Sequence, residues 1–174
     1  MYRHILEFFF CLFFLTGCTV KPLPVDNTEV KKLSMMLRQM DGKIGKAAAD
    51  RLSEALFFET ASLVKKFDLV SPPWFHNTLV NTGFRKKGLC YDWSDALYVH
   101  VVKQGYSEFD FHLGGAYIGE YWREHNVLVV TAKGKPFDSG EVIDPWRDSG
   151  KLYFEKVKQD WQYSWKERKD RCVP

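Results

Sequence analysis

Residues 88–105 read GLCYDWSDALYVHVVKQG. Trp93, Ala96, Leu97 and Val101 recur at helical spacing and make one apolar face. The spacing predicts a helix from about Cys90 to Gln104, with Gly105 as its C-cap. Cys90 then stands at the head of that helix. A thiol attacks carbon only as thiolate, and an ordinary thiol, with a pKa of about 8.5, holds little thiolate at neutral pH. A helix N-terminus and a neighbouring imidazolium both favour the anion. Cys90 occupies the first of these environments, which makes it a candidate nucleophile.

The pattern differs on the two sides of this helix. On the N-terminal side the period is helical. EVKKLSMMLRQM places Val30, Leu33, Met36, Leu37 and Met40 on one stripe, with Thr28-Glu29 expected as the cap and Asp41-Gly42 as the break. KIGKAAADRLSEALFFETASLVKKF continues it through Ile44, Ala48, Leu52, Ala55, Leu56, Leu63 and Phe67. SPPWFHN is read as a loop, because Pro72 and Pro73 end a helix. Beyond Gly105 the period falls to two. SEFDFHLGG, GAYIGEYW, HNVLVVTA, GEVIDPW and GKLYFEKV read as short strands, and KGKPFDSGE as a hairpin-like connection. Helices followed by strands predict an α+β fold with an antiparallel sheet.

The first residues, MYRHILEFFFCLFFLTGC, have the basic head and short apolar run of an export signal. Leu15-Thr16-Gly17-Cys18 resembles the bacterial lipobox. That resemblance implies a signal peptide over 1–17 and lipid on Cys18. The two prolines and polar residues that follow read as a tether over 18–28, and the remaining length gives a single domain over 29–174. Thr19 after the lipidated Cys points to the outer membrane, with the domain facing the periplasm. The formal charge of +3, spread among interleaved acids, argues against nucleic-acid binding. Cys11 leaves with the signal, so Cys90 and Cys172 remain in an oxidising compartment, where a disulfide between them is the alternative to a free thiol. No cysteine spacing suggests zinc, and no cofactor is expected.

A nucleophilic Cys90 needs a histidine. His100 lies on the same helix, about 15 Å away at the helical rise, and is too far. His125 opens the most convincing strand and is the favoured partner; His112 and His76 are the alternatives. A base works better when its second nitrogen is held by an acceptor. Asp144 is the candidate, because a carboxylate ending the apolar run EVID beside Trp146 is costly without a partner. Asp92, Asp138 and Asp148 read as turn or cap residues.

Cys90 at a helix head in GLCYDWSDAL, His125 in EHNVLVV and Asp144 in VIDPWRDSGKLYF, in that order, resemble the papain-like fold in its transglutaminase-like branch, which includes bacterial transglutaminase-like cysteine proteinases. The likeness covers roughly residues 75–160. It implies N-terminal helices, one headed by the Cys, packed on an antiparallel sheet. It also implies a thiol hydrolase or acyltransferase working on amide or peptide bonds through a Cys90-His125-Asp144 triad, with a peptide or peptidoglycan-like substrate. The Cys90 N–H is one oxyanion donor. The second is commonly a Gln shortly before the Cys, and this sequence has none there; Asn77 or Asn81 is the candidate for that role. Arg85-Lys86-Lys87 are a solvated loop or a source of positive potential beside Cys90. Trp74, Trp93, Trp122 and Trp146 are core or cleft residues. DWQYSWKERKDR is expected to close the chain as an amphipathic segment with Trp161 and Trp165 on one helix face. The alternative function is a catalytically silent binding lipoprotein of the same fold.

Overall fold

A computed structural model describes residues 18–22 and 24–171. The signal-like segment with Cys11, and Cys172 with its alternative pairing, lie outside those residues. The chain begins with β1 (Cys18–Thr19), then α1 (Asn27–Gln39), α2 (Lys46–Lys66), β2 (Val70–Ser71), α3 (Pro73–Asn81) and α4 (Cys90–Lys103). The strands β3 (Phe109–Ala116), β4 (His125–Ala132), β5 (Glu141–Asp148), β6 (Lys151–Lys156) and β7 (Lys166–Glu167) follow. They form an antiparallel sheet of order β6-β5-β4-β3-β7. The architecture is therefore α+β.

Residues 18–28, expected as a tether, begin docked on the domain. β1 pairs with β2, and the Val20 N–H donates to the Leu69 carbonyl at 2.8 Å. Asp26, rather than Thr28, caps α1; its carboxylate accepts from the Thr28 N–H at 2.8 Å. α1 and α2 bury facing stripes that include Leu33, Leu37, Leu52 and Leu56. The Ser53 hydroxyl joins the two helices by donating to the Val30 carbonyl at 2.7 Å.

Three further expectations are corrected. SPPWFHN is not a loop, because Pro73 opens α3. Proline lacks the N–H that a first turn cannot use, so it starts a helix as readily as it stops one. GAYIGEYW is not a strand beyond Ala116. Tyr117 at φ 51° and Gly119 at φ 88° bend it into the β3–β4 connection. The tail is not a helix: Trp165 is buried, Trp161 is exposed, and β7 follows at the sheet edge.

The sheet carries apolar residues on both faces. Leu128, Val130, Ile143 and Phe154 meet Leu97, Val101 and the α1–α2 pair on one side. Val127, Val129 and Val142 meet Val157 and Trp165 on the other. β4 is buried along its whole length, which explains its unbroken apolar run. Each fully buried Leu, Ile or Val contributes about 1.5–3 kcal/mol. This packing fixes the start of β4 beside the start of α4. Glu141 opens β5 as a buried carboxyl, and burial pushes it up to about 7 despite the Lys156 charge.

Candidate active site

The turn before Cys90 is held by side chains from three directions. The Val70 N–H donates to His76 Nδ1 at 3.2 Å, so the ring carries its proton on Nε2 and donates it to the Lys87 carbonyl at 2.9 Å. Trp93 Nε1 donates to the Gly88 carbonyl at 3.1 Å. Asp92 Oδ2 accepts from the Gly88 and Leu89 N–H groups at 2.9 and 3.0 Å. Gly88 has φ 124°, and a Cβ there would lie 2.1 Å from His76 Nε2. Only glycine fits, and the turn it makes leads into the first residue of α4.

His125 and Asp144 come from adjacent strands. His125 Nε2 donates to Asp144 Oδ2 at 2.7 Å, with both side chains buried. The ring packs against Trp146, Tyr163 and Trp165, with centroids 4.7, 4.9 and 5.5 Å away. Asp144 has a second partner. Arg147 curls back across the bulge in the β5–β6 pairing and donates Nε to Asp144 Oδ2 at 3.0 Å. Its Nη2 donates to Asp160 Oδ2 at 2.6 Å, and Trp165 Nε1 donates to the same oxygen at 2.9 Å. Charges of alternating sign thus run from the ring through Asp144 and Arg147 to Asp160, each with its opposite beside it.

Two opposing effects set the histidine's protonation. Burial pulls the His125 pKa down, but the Asp144 charge and hydrogen bond, with the Cys90 side chain, outweigh it and raise the pKa to about 9. Burial pushes Asp144 up, yet His125 and then Arg147 hold it below the ordinary carboxylate range. At neutral pH the geometry therefore favours an imidazolium facing a carboxylate.

Cys90 is half-buried and, among the described residues, pairs with no other cysteine. Its side chain lies close enough to His125 to raise the ring's pKa. Nε2 is committed to Asp144, so the nitrogen left for Cys90 is Nδ1, which is buried without an aligned hydrogen-bond partner. Sγ lies 3.8 Å from the Glu124 carbonyl oxygen, and Asn126 Nδ2 donates to Sγ at the same distance.

Cys90, His125 and Asn126 open onto a cleft of about 1090 Å³. Trp74, Asn77 and Asn81 line it from α3, Tyr117, Tyr121 and Trp122 from the β3–β4 connection, and Trp146 and Tyr163 from beside the histidine. The nearby charges are already paired. Glu124 binds the Gly119 N–H and Arg168, while Arg123 binds Glu120 and lies over Tyr117.

The structure brings Cys90, His125 and Asp144 together and sends the other histidines elsewhere. His100 faces Glu59, His112 ties Glu167 to Thr131 across β3, and His76 latches the turn before Cys90. Asn77 lines the cleft with its Oδ1 taken by Trp146 Nε1, and Asn81 lines it from the exposed end of α3. Trp93 is core, whereas Trp74, Trp122 and Trp146 line the cleft. Arg85 is paired with Asp68, and neither it nor Lys86 nor Lys87 lines the cleft. Sequence reasoning missed Asn126, Arg147 and Asp160. Arg147, three residues after a carboxylate that needed a partner, was the one with a readable signal.

No protein-family model, curated protein or solved structure matches this chain. The chemistry of the site therefore rests on its own geometry.

Proposed function

We propose that the protein is a lipid-anchored thiol hydrolase or acyltransferase of the cell envelope, built on a transglutaminase-like frame and acting on amide or peptide bonds. The observation that carries this reading is a buried His125 held by Asp144 at 2.7 Å, with the Cys90 side chain beside it at a cleft. A purely structural histidine gains nothing from a half-buried cysteine beside it at the mouth of a cleft.

With its proton passed to His125 Nδ1, Cys90 adds through Sγ to the substrate carbonyl carbon; an S–C bond forms and the C=O π pair moves to oxygen. The intermediate collapses, the C–N bond breaks, and His125 gives its Nδ1 proton to the departing amine. Water, losing a proton to His125, or an acceptor amine then takes the acyl group and releases the sulfur. Asp144 keeps the ring oriented and its positive charge stabilised throughout. The aromatic cleft, with its charges internally paired, suits a neutral, extended substrate such as a peptide.

Iodoacetamide labelling at neutral pH tests the site. Cys90 is expected to react about tenfold or more faster than free cysteine, and His125→Ala to remove that advantage. Reaction at the free-cysteine rate, unchanged in His125→Ala, would sink the enzymatic reading.

A further inference from the structure

A sulfur that adds to a carbonyl needs donors for the oxygen that becomes negative. Cys90 offers its own N–H, since the first turn of a helix leaves its amides without intrahelical partners. The stretch Phe84-Arg85-Lys86-Lys87-Gly88-Leu89 carries no amide side chain to supply a second donor. Asn77 has its oxygen bound to Trp146, and no hydrogen bond joins Asn77 or Asn81 to Cys90 among the described residues.

Asn126 differs from both. It is 6% exposed, follows His125 on β4, and directs Nδ2 to Cys90 Sγ at 3.8 Å. Successive strand residues point to opposite faces, so His125 and Asn126 leave β4 on different sides of the sheet. A separate contact sets which end of the amide faces the sulfur. Arg171, which can only donate, reaches Asn126 Oδ1 through Nη1 at 3.4 Å. Arg171 is itself anchored by Asp95 at 2.6 Å and lies over the Tyr91 ring. A guanidinium on the amide oxygen turns the NH2 end towards the sulfur and polarises it as a donor.

We propose that Asn126 is the second oxyanion donor, working with the Cys90 N–H on the tetrahedral intermediate. The proposal rests on the reading of Cys90 as an acyl-accepting nucleophile. When Sγ bonds to the carbonyl carbon, the oxygen that takes the π pair develops beside the sulfur, within reach of Nδ2. The donors stabilise it until the pair returns and the leaving group departs with the proton from His125.

Two reagents separate this role from a role on the thiol. p-Nitrophenyl acetate acylates Cys90 through an oxyanion; iodoacetamide alkylates the same sulfur by direct displacement, with none. In Asn126→Ala, the pre-steady-state release of p-nitrophenolate is expected to slow about 10²–10³-fold, while alkylation stays within about twofold of the parent. Arg171→Gln, outside the cleft, is expected to slow release about tenfold and again spare alkylation; it is the variant read if Asn126→Ala loses its cooperative thermal transition. Release at the parent rate in the variant read, or equal slowing of both reactions, overturns the proposal. If Cys90→Ser leaves release from the parent unchanged, the nucleophile reading itself falls and this donor with it, a failure seen before any Asn126 variant is made.

Discussion

His125 is where local physics is most sharply balanced. Its burial alone would leave the ring neutral, and the carboxylate at 2.7 Å reverses that, to a pKa of about 9. The sign of the stability effect follows. A folded pKa raised above the unfolded value of about 6.5 stabilises fully below that pH and is lost as pH rises through about 9. Asp144, held low, acts in the opposite window: its contribution is present above the ordinary carboxylate pKa of about 3.9 and is lost as pH falls below it. Glu141, raised to about 7, adds a further loss of stability as pH rises from about 4.5. Thermal melts from pH 5 to 10 should therefore decline on the basic side, and His125→Gln should remove the part of the slope above about 7. In the proposed enzyme, turnover of an amide should fall with the same basic limb, because the leaving amine needs the imidazolium proton. Asp144→Asn should move that limb to lower pH, since burial then acts on the ring without the opposing charge. A limb that stays in place in Asp144→Asn would contradict the pairing.

At the scale of elements, the turn Lys87–Leu89 and the head of α4 behave as one unit. Gly88 has a φ that other residues rarely adopt, and its missing Cβ makes room for the His76 ring, which in turn bonds Lys87 and Val70. Gly88→Ala must displace that ring or the turn. Loss of about 2–4 kcal/mol is expected in denaturant unfolding, together with loss of any alkylation advantage at Cys90. Stability and reactivity at the parent level would show that the turn does not position the nucleophile. Legibility also varied by element. HNVLVVTA was readable as β4 because its β-branched run admits little else. SPPWFHN has the prolines of a helix stop, whereas Pro73 occupies a helix start, a distinction that composition does not carry. GAYIGEYW has the aromatic content of a strand, but backbone at positive φ turns it into a connection.

For the whole molecule, the proposed anchor and the domain are close together. β1 begins at Cys18 and pairs directly with Ser71, two residues before α3 and its cleft-lining Trp74. A lipid on Cys18 would hold the domain against the bilayer surface, with little slack between them. Metabolic labelling with palmitate is expected to mark the wild-type chain and not Cys18→Ser, and the variant should leave the membrane fraction with Cys90 alkylation unchanged. Two acyl chains anchor firmly, at about 0.8 kcal/mol per buried methylene, so partial release of labelled protein is not expected. An unlabelled wild-type chain would remove the anchor from the proposal without touching the site.

Reading along the chain was enough to assign helices before strands, the antiparallel class, and Cys90, His125 and Asp144 as the residues to watch. Those features follow from local periodicity and from the cost of leaving particular groups unpartnered. The residues that complete the site were not legible in that way. Asn126 reaches the sulfur, and Arg147 and Asp160 extend the charge network, only because β4 lies beside α4, β5 bulges between Asp144 and Asp148, and the C-terminal segment folds back over the sheet. A side chain's partner depends on strand register and on packing between segments far apart in the chain. Local pattern carries neither, and only the tertiary structure decided them.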